Sequence, residues 1–480
     1  MNGLIKSVIA KNYQKFAIQS PILGPFNCFN NGYLIAIIFI ALPFICFFVF
    51  NLKIATLKTL FYFLFCTLSF KSCLICSGIL LHIFRKKSVK PDYDYFLATN
   101  ASKLSHYSIL LPLLNENYPT LCQLTRAVIE LKYPKEKKDI IFILEEKDTQ
   151  TIYYIKKIIK AIKGTKINLV IVPFSLPLTK PKACNYALQF IKGDKLVIYD
   201  AEDKPHPNQL LAAEEMFLNN PLLSVIQCPL LFYNRNRNFI TQCFYIEYLM
   251  WFYFTMPVLS LLKLPITLGG TSNFIKVKDL KELGNWCAYN VTEDAELGIR
   301  LKLNFKNIGF VSCVTMEEAP FEIKNWLMQR IRWIKGFNQT YFFYFFKSFK
   351  MLFQYKSGIR NLANFISFHL LYGFSAVGFL CLFCYTVLCA FMDFETDYTL
   401  DFIVISSLGT IFFCLLVCIT CMIWSMKLSR SMYYSLIILG YFLLHQVAAI
   451  LAIVEMIRHP FRWNKTKHSN NHLIHFKTKK

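Results

Sequence analysis

Acid is scarce in this sequence, and so are the spacings that usually explain an excess of base. Against 53 Lys and Arg stand only 29 Asp and Glu, a formal charge of +24. No zinc-finger spacing, RNA-recognition signature or homeodomain pattern accompanies that surplus, so nucleic acid is not the expected partner. A basic face against anionic lipid, with cations turned toward a diphosphate ligand, accounts for the charge more simply. A disulfide or metal framework is also missing, although the chain has 17 cysteines. Cys73 and Cys76, Cys381 and Cys384, and Cys414, Cys418 and Cys421 sit inside apolar runs, where cysteine acts as a small hydrophobe. No small-residue cleavage site follows the first apolar run, which reads as a retained helix rather than a signal peptide.

Apolar residues are what the chain has in abundance: 55% of it, with a mean hydropathy of +0.39. Runs at about 33–50 and 57–84, and again at 362–392, 402–426 and 433–456, are long enough to cross a bilayer, which takes roughly 20 apolar residues. Lys6, Lys11 and Lys15 precede the first pair, and Arg85, Lys86, Lys87 and Lys90 follow it. The positive-inside rule makes that pair a hairpin with both ends in the cytoplasm. The acidic loop with Asp393, Glu395, Asp397 and Asp401 is expected outside, and Lys427 and Arg430 inside. The basic tail conflicts with this count: its charge places it inside, whereas three crossings place it outside.

Between the two apolar ends the pattern changes. SILLPLL (108–114), IIFILEE (140–146), INLVIVP (167–173) and KLVIYDAED (195–203) alternate with amphipathic stretches such as 118–132 and 150–163. Ile-, Leu- and Val-rich strands alternating with helices imply a largely parallel sheet covered on both faces. Ligands bind such sheets at the carboxyl edge of the strands. The expected organisation is a membrane hairpin (1–90), a cytoplasmic α/β domain (91–320), aromatic and basic interfacial helices (321–358), a C-terminal membrane region of about three spans (359–458) and a basic tail (459–480).

Acidic clusters fall at two strand ends. Asp200 and Asp203 have a spacing that brings one or both carboxylates to a Mg²⁺ or Mn²⁺ ion, whose shell phosphate and water complete; solvated turn or cap residues have the same composition. Glu145, Glu146 and Asp148 end the preceding β-type run. In NVTEDAELGIRL (290–301), Thr292 has the position of a helix cap with carboxylates in the first turn, and the alternative reading makes Asp294 a general base. Gln329, Arg332 and Trp333 stand at i, i+3 and i+4, on one helical face. Arg neutralises diphosphate and an indole stacks on a sugar ring; a snorkelling Arg beside an interfacial Trp is the other reading.

The ordered set EEKD, DAED, TED and QRIRW resembles the processive branch of glycosyltransferase family 2, which includes cellulose, curdlan and hyaluronan synthases. LPLLNENYPTL, TKPKACNYAL, VIYDAEDKPHPNQL, LGGTSNFIKV and EEAPFEIKNWLMQRIRWIKGFNQT look like its bacterial synthase subgroup, and FRWNKTKHS (461–469) like that subgroup's closing motif. The resemblance covers roughly 105–345. It implies an α/β domain of GT-A type inserted between transmembrane helices of a multi-pass protein of the bacterial cytoplasmic membrane. It further implies inverting transfer from a nucleotide diphosphate donor, UDP-glucose by default with UDP-N-acetylglucosamine and GDP-mannose open, to a growing β-glycan. On that reading Glu146 or Asp148 touches the nucleoside, Lys180 and Lys182 border the donor pocket, and Asp200 and Asp203 hold metal and diphosphate. Asp294 takes the acceptor proton, while Glu293, Gln329, Arg332 and Trp333 hold the acceptor sugar and the diphosphate. The membrane helices border a product channel. A transferase loading one sugar onto a polyprenyl phosphate is the nearest rival; it generally lacks the QxxRW element. A non-catalytic membrane protein with a decayed domain is the third reading. Two departures stand out: Lys147 where relatives carry an acid, expected to weaken nucleoside binding, and Phe274 where the subgroup has His, expected to alter the acceptor site.

Overall fold

A computed structural model of the chain describes residues 42–49, 51–84, 92–162, 167–353, 358–378, 398–424 and 426–459, with Tyr385, Val387 and Leu388 between them. Most of the expected 33–50 span, the basic flank 85–91, the acidic loop at 391–397 and the closing motif at 461–469 lie outside the described residues.

The apolar run at 57–84 is one long helix, α1 (Lys53–Phe84). After it the α/β domain begins: β1 (Tyr107–Leu113), α2 (Tyr118–Ile129), β2 (Lys138–Glu145), α3 (Thr149–Ala161), β3 (Ile167–Val172), α4 (Lys180–Ala187) and β4 (Lys195–Ile198). β5 (Lys204–Pro205), β6 (Leu223–Gln227), β7 (Leu230–Phe232), helix α5 (Phe239–Leu249), β8 (Asn273–Lys276), α6 (Glu293–Leu303), β9 (Asn307–Phe310) and β10 (Thr315–Glu317) complete it. The main sheet has the order β3-β2-β1-β4-β8-β6-β9, and β5-β10-β7 form a small second sheet. Strand β2 shows why the main sheet is central. Ile140, Phe142 and Leu144 join one apolar core while Ile141 and Ile143 join the other, the period-two alternation of a strand buried on both faces.

The sheet departs from the expected parallel pattern at β8, which runs antiparallel to both β4 and β6. The cause lies in the chain between β6 and β8. That segment leaves at the carboxyl edge, forms α5, a π-helical turn (Met250–Thr255) and a short helix (Met256–Leu261), and returns to the same edge, so β8 starts there and runs back. These helices, inside the stretch expected to be the cytoplasmic domain, pack against α1. Gly78 of α1 lies so close to Phe254 that a Cβ there would sit 2.5 Å from the Phe254 Cα. Only glycine lets the two backbones approach this far.

After β10 comes a single 26-residue helix, α7 (Ile323–Ser348), then α8 (Tyr398–Ile423) and α9 (Leu428–Arg458). Among the described residues two helical stretches, Lys58–Phe84 and Leu428–Arg458, have the length and apolarity to cross a membrane, and Leu408–Ile423 is a shorter apolar helix. The expected 362–392 span is described only at its start, as Gly358–Phe368 and the π-helical His369–Gly378. α7 packs along α9, where Ala448, Ala449 and Ala452 receive Ile331 and Ile334; small residues let helices approach closely.

Candidate active site

Strand order reverses between β1 and β4, whose carboxyl ends open onto one cavity of about 1040 Å³. Lys180, Asp200, Glu293, Asp294, Gln329, Arg332 and Trp333 all line it, although they come from segments up to 150 residues apart. Lys180, at the start of α4, places Nζ 2.5 Å from Asp200 Oδ1 and 2.6 Å from the carbonyl of Gly270. Burial opposes its charge, but Asp200 and Glu293 outweigh that and hold its pKa above the usual lysine range.

The DAED turn divides its carboxylates. Asp200 and Glu202 line the cavity. Asp203, expected as a metal ligand beside Asp200, is fully buried and does not line it. Its Oδ2 accepts from the Asp200 amide at 2.7 Å and from the Thr271 hydroxyl, so it fixes the turn that presents Asp200. Its Oδ1 is buried without a hydrogen-bond partner among the described residues. Glu317, at the end of β10, also faces the cavity. Burial, then the neighbouring Asp200, Glu202 and Asp203, push Glu317 well above the ordinary carboxylate range, and Asp203 is pushed up likewise. So much acid against one lysine is a setting that a divalent cation relieves. Among the described residues no group of three or more His, Cys, Asp or Glu side chains is placed to hold a metal ion, so protein ligands to an ion here would number one or two, with phosphate and water supplying the rest of its shell.

Asp294 lies in the first turn of α6, and its Oδ2 is 3.4 Å from where a Cβ on Gly270 would stand. Burial raises its pKa, while the amide of Ala295 and the charges of Lys180 and Arg332 pull it back. Burial and the adjacent Asp294 push Glu293 up to about 7. Arg332 donates to the Val291 carbonyl at 3.1 Å, which ties the QxxRW helix to the turn that carries both acids. Thr292 stands at the N-cap position of α6 with acids in the first turn, as the sequence implies, but its side chain makes no capping hydrogen bond. Its hydroxyl is engaged by Asn290 Oδ1 at 3.3 Å, and its methyl packs where α7 passes at Gly336.

Trp333 stacks on Tyr248 with ring centroids 6.4 Å apart and 24° between planes, and the Arg330 guanidinium carbon lies 4.6 Å from its ring centre. The indole is thus held in one orientation at the cavity wall.

Three residues expected at the donor sit elsewhere. Lys182 is buried in an ion pair with Glu145 at 2.8 Å and does not reach the cavity, whereas Glu145 does. Asp148 is buried, accepting from Asn115 N at 2.6 Å and from Thr151 N at 3.2 Å; it caps α3 and fixes the turn after β1. Asn115 in that turn has φ 51°, and the next residue, Glu116, lines the cavity. Glu146 is exposed and accepts from the Phe174 amide at 3.2 Å. Lys147, the first departure, stands 3.3 Å over the Phe174 ring. Phe274, the second, is fully buried in the core, T-shaped to the Tyr107 ring with centroids 5.9 Å apart, and does not line the cavity. Glu116, Glu202, Glu247, Glu317 and Glu318 are the cavity acids that sequence reasoning passed over. For Glu116, Glu202, Glu317 and Glu318 a carboxylate at or just past a strand end was the signal; Glu247, inside α5, carried none.

Residues 195–454 match the family described as Glycosyl transferase family group 2. "Probable glycosyltransferase YdaM" of Bacillus subtilis is 24% identical over 392 residues, covering 78% of this chain and 89% of that protein. "Probable glucomannan 4-beta-mannosyltransferase 7" of Oryza sativa is 25% identical over 222 residues, 44% of this chain and 37% of that one. Among solved structures, the "Mannosyltransferase PcManGT from Pyrobaculum calidifontis in complex with GDP-Man and Mn2+" superposes with a TM-score of 0.52 at 17% identity, over 82% of this chain and 99% of that one. The last similarity is one of fold, a GT-A-like arrangement around a mixed sheet.

Proposed function

The chain belongs to glycosyl transferase family group 2 and is a glycosyltransferase using a nucleotide-sugar donor, and on that premise we propose that it is a membrane-embedded inverting hexosyltransferase extending a β-linked glycan. The observation that carries this reading is the single cavity in which Asp294, Asp200 and the Gln329–Arg332–Trp333 face meet and which continues to residues of the membrane helices.

In the proposed reaction Asp294 takes the proton of the acceptor hydroxyl. The acceptor oxygen forms a bond to the anomeric carbon as the bond from that carbon to the diphosphate oxygen breaks, which inverts the configuration. Lys180 and Arg332 face the departing diphosphate, where fixed charges stabilise what develops in the transition state. Asp200 and Glu202 would hold Mg²⁺ or Mn²⁺, which when bound neutralises diphosphate charge. Glu145 and Glu116 face the nucleoside end, with Lys182 and Asp148 holding them in place. Trp333, with Gln329 and Glu293, receives the acceptor sugar. The apolar helices α1, α8 and α9 seat the protein in the bacterial cytoplasmic membrane, with α7 along its surface and the α/β domain on the cytoplasmic side.

UDP-glucose and GDP-mannose are the donors to compare first, the second because mannose appears in the names of similar proteins. One observation favours a second reading: Phe61, Leu64, Phe65, Leu68, Phe412 and Phe413 line the membrane end of the cavity, a wall suited to the chain of a lipid phosphate acceptor. The test is diphosphate release and product size with each donor, using full-length protein in nanodiscs with Mg²⁺ or Mn²⁺. A long labelled product supports the synthase, a single sugar on lipid moves the answer to the lipid-linked transferase, and no turnover of any donor removes both.

A further inference from the structure

Where the cavity passes from the catalytic domain into the membrane helices, it is bordered by Glu247 of α5 and Arg330 of α7. Arg330 donates to both oxygens of Glu247, at 2.9 and 2.6 Å. The Tyr441 hydroxyl of α9 donates to Glu247 Oε2 at 2.6 Å while accepting from Arg330 at 3.1 Å and from Trp326 Nε1 at 3.2 Å. One carboxylate thus joins three helices. In this pair Arg330 is buried and Glu247 half-buried; such a pair adds little net stability, because desolvation offsets the Coulomb attraction, but it does favour one arrangement over its neighbours. A planar guanidinium gripped at both nitrogens has almost no freedom left.

That immobilised guanidinium is in contact with the acceptor wall. Its carbon lies 4.6 Å from the ring centre of Trp333 and 4.2 Å from that of Phe244, distances at which a cation is attracted to an aromatic face. Phe244 in turn meets Trp333 edge-on at 5.8 Å. Five residues further along α7, Lys335 donates to the carbonyl of His459, just past α9, at 3.1 Å and lies 3.8 Å from the Glu455 carboxylate of α9. α7 is therefore pinned twice to the membrane helix, and the first pin is the one that touches the indole.

We infer that Glu247 is a positioning residue for the acceptor: by fixing Arg330 with Tyr441, it sets the plane of the Trp333 indole and so decides whether an activated sugar reaches the acceptor hydroxyl or is lost to water. This rests on the hexosyltransferase reading above. On that reading donor binding and diphosphate departure depend on Lys180, Asp200 and Arg332, whereas Glu247 is hydrogen-bonded to Arg330 and Tyr441.

The test uses inverted membrane vesicles containing the full-length protein and its own acceptor, with sugar-labelled UDP-glucose and GDP-mannose as probes. The readout is the ratio of diphosphate released to sugar retained in product. Tyr441→Phe removes one hydroxyl and keeps the ring against Trp326, and should raise that ratio about threefold. Glu247→Gln and Arg330→Lys should raise it about tenfold or more, the scale expected when a reacting group is displaced by a fraction of an ångström. Diphosphate release per folded protein should stay within about twofold of wild type in Tyr441→Phe, the variant that keeps the ion pair. Should Glu247→Gln fail to accumulate, Tyr441→Phe and Arg330→Lys still decide the matter. A ratio unchanged in both, or release and retention falling in parallel, overturns the inference and leaves a purely structural ion pair. A wild-type protein that turns over neither donor overturns the hexosyltransferase reading instead.

Discussion

Gly336 is where the two halves of the site touch, and Gly336→Ala is the sharpest probe of their spacing. A Cβ at this position of α7 would stand 2.6 Å from Thr292 Cγ2 and 2.8 Å from Thr292 Cβ, and closer still to the hydroxyl. Carbon–carbon contacts settle at about 3.5–4.0 Å, so α7 and the turn before Asp294 must separate by roughly 1 Å. Thr292 is β-branched and cannot swing clear. The clash opposes a gain in helix propensity of about 1 kcal/mol from replacing glycine, and overpacking of this size costs about 1–3 kcal/mol, so the net loss of stability is about 0–2 kcal/mol. The change in rate is larger than that loss accounts for. Moving Trp333 and Arg332 by about 1 Å relative to Asp294 is expected to lower transfer about 100-fold. Transfer and thermal midpoint would be measured together on protein in nanodiscs. Adding Thr292→Ala removes Oγ1 and Cγ2 and should restore part of the lost rate. Wild-type turnover in Gly336→Ala, or no recovery in the double variant despite a normal midpoint, would refute the claim that this contact sets the distance between base and acceptor wall.

Three further outcomes follow from the site. Asp294→Asn should keep donor affinity within about twofold and lose transfer by about 10²- to 10⁴-fold, the usual contribution of a general base; unchanged turnover assigns the base elsewhere. EDTA should abolish diphosphate release and Mn²⁺ or Mg²⁺ should restore it, with Glu202→Gln needing more metal for half-maximal rate than wild type; an equal requirement removes Glu202 from the ion's shell. Glu293 titrates near 4.5 when exposed and is pushed up to about 7 by burial and Asp294. The folded protein therefore holds a proton that the unfolded chain releases, and the resulting stabilisation is complete below about 4.5 and declines as pH rises through 7. The thermal midpoint should fall between pH 5.5 and 8, with a shallower slope in Glu293→Gln; identical slopes would contradict the assigned burial.

Much of this was legible in the sequence because it was local. Short Ile-, Leu- and Val-rich runs identified β1 to β4, and amphipathic stretches identified the helices between them, since both signals are local to the element that carries them. The i, i+3, i+4 spacing put Gln329, Arg332 and Trp333 on one face, and all three line the cavity. Motifs such as DAED and TED located the carboxylates, but not which atoms meet the ligand. Asp203 and Asp148 look like ligands in one dimension, yet each is turned inward, Asp203 Oδ2 to the Asp200 amide and the Thr271 hydroxyl and Asp148 to the amides of Asn115 and Thr151.

By itself, the order of residues determined the α/β class, the apolar helices at both ends and the family, because these depend on periodicity, run length and short motifs. Which acids share the cavity was decided only by tertiary structure: Glu116, Glu202 and Glu317 reach it, and Lys182 does not. So was the antiparallel course of β8, set by a helical excursion that returns to the edge it left. The same holds for the grip of Glu247 on Arg330 and Tyr441, residues 83 and 194 positions away. Hydrogen bonds and burial between residues so far apart leave no local repeat in the chain, since their partners are chosen by the packing of whole helices against the sheet.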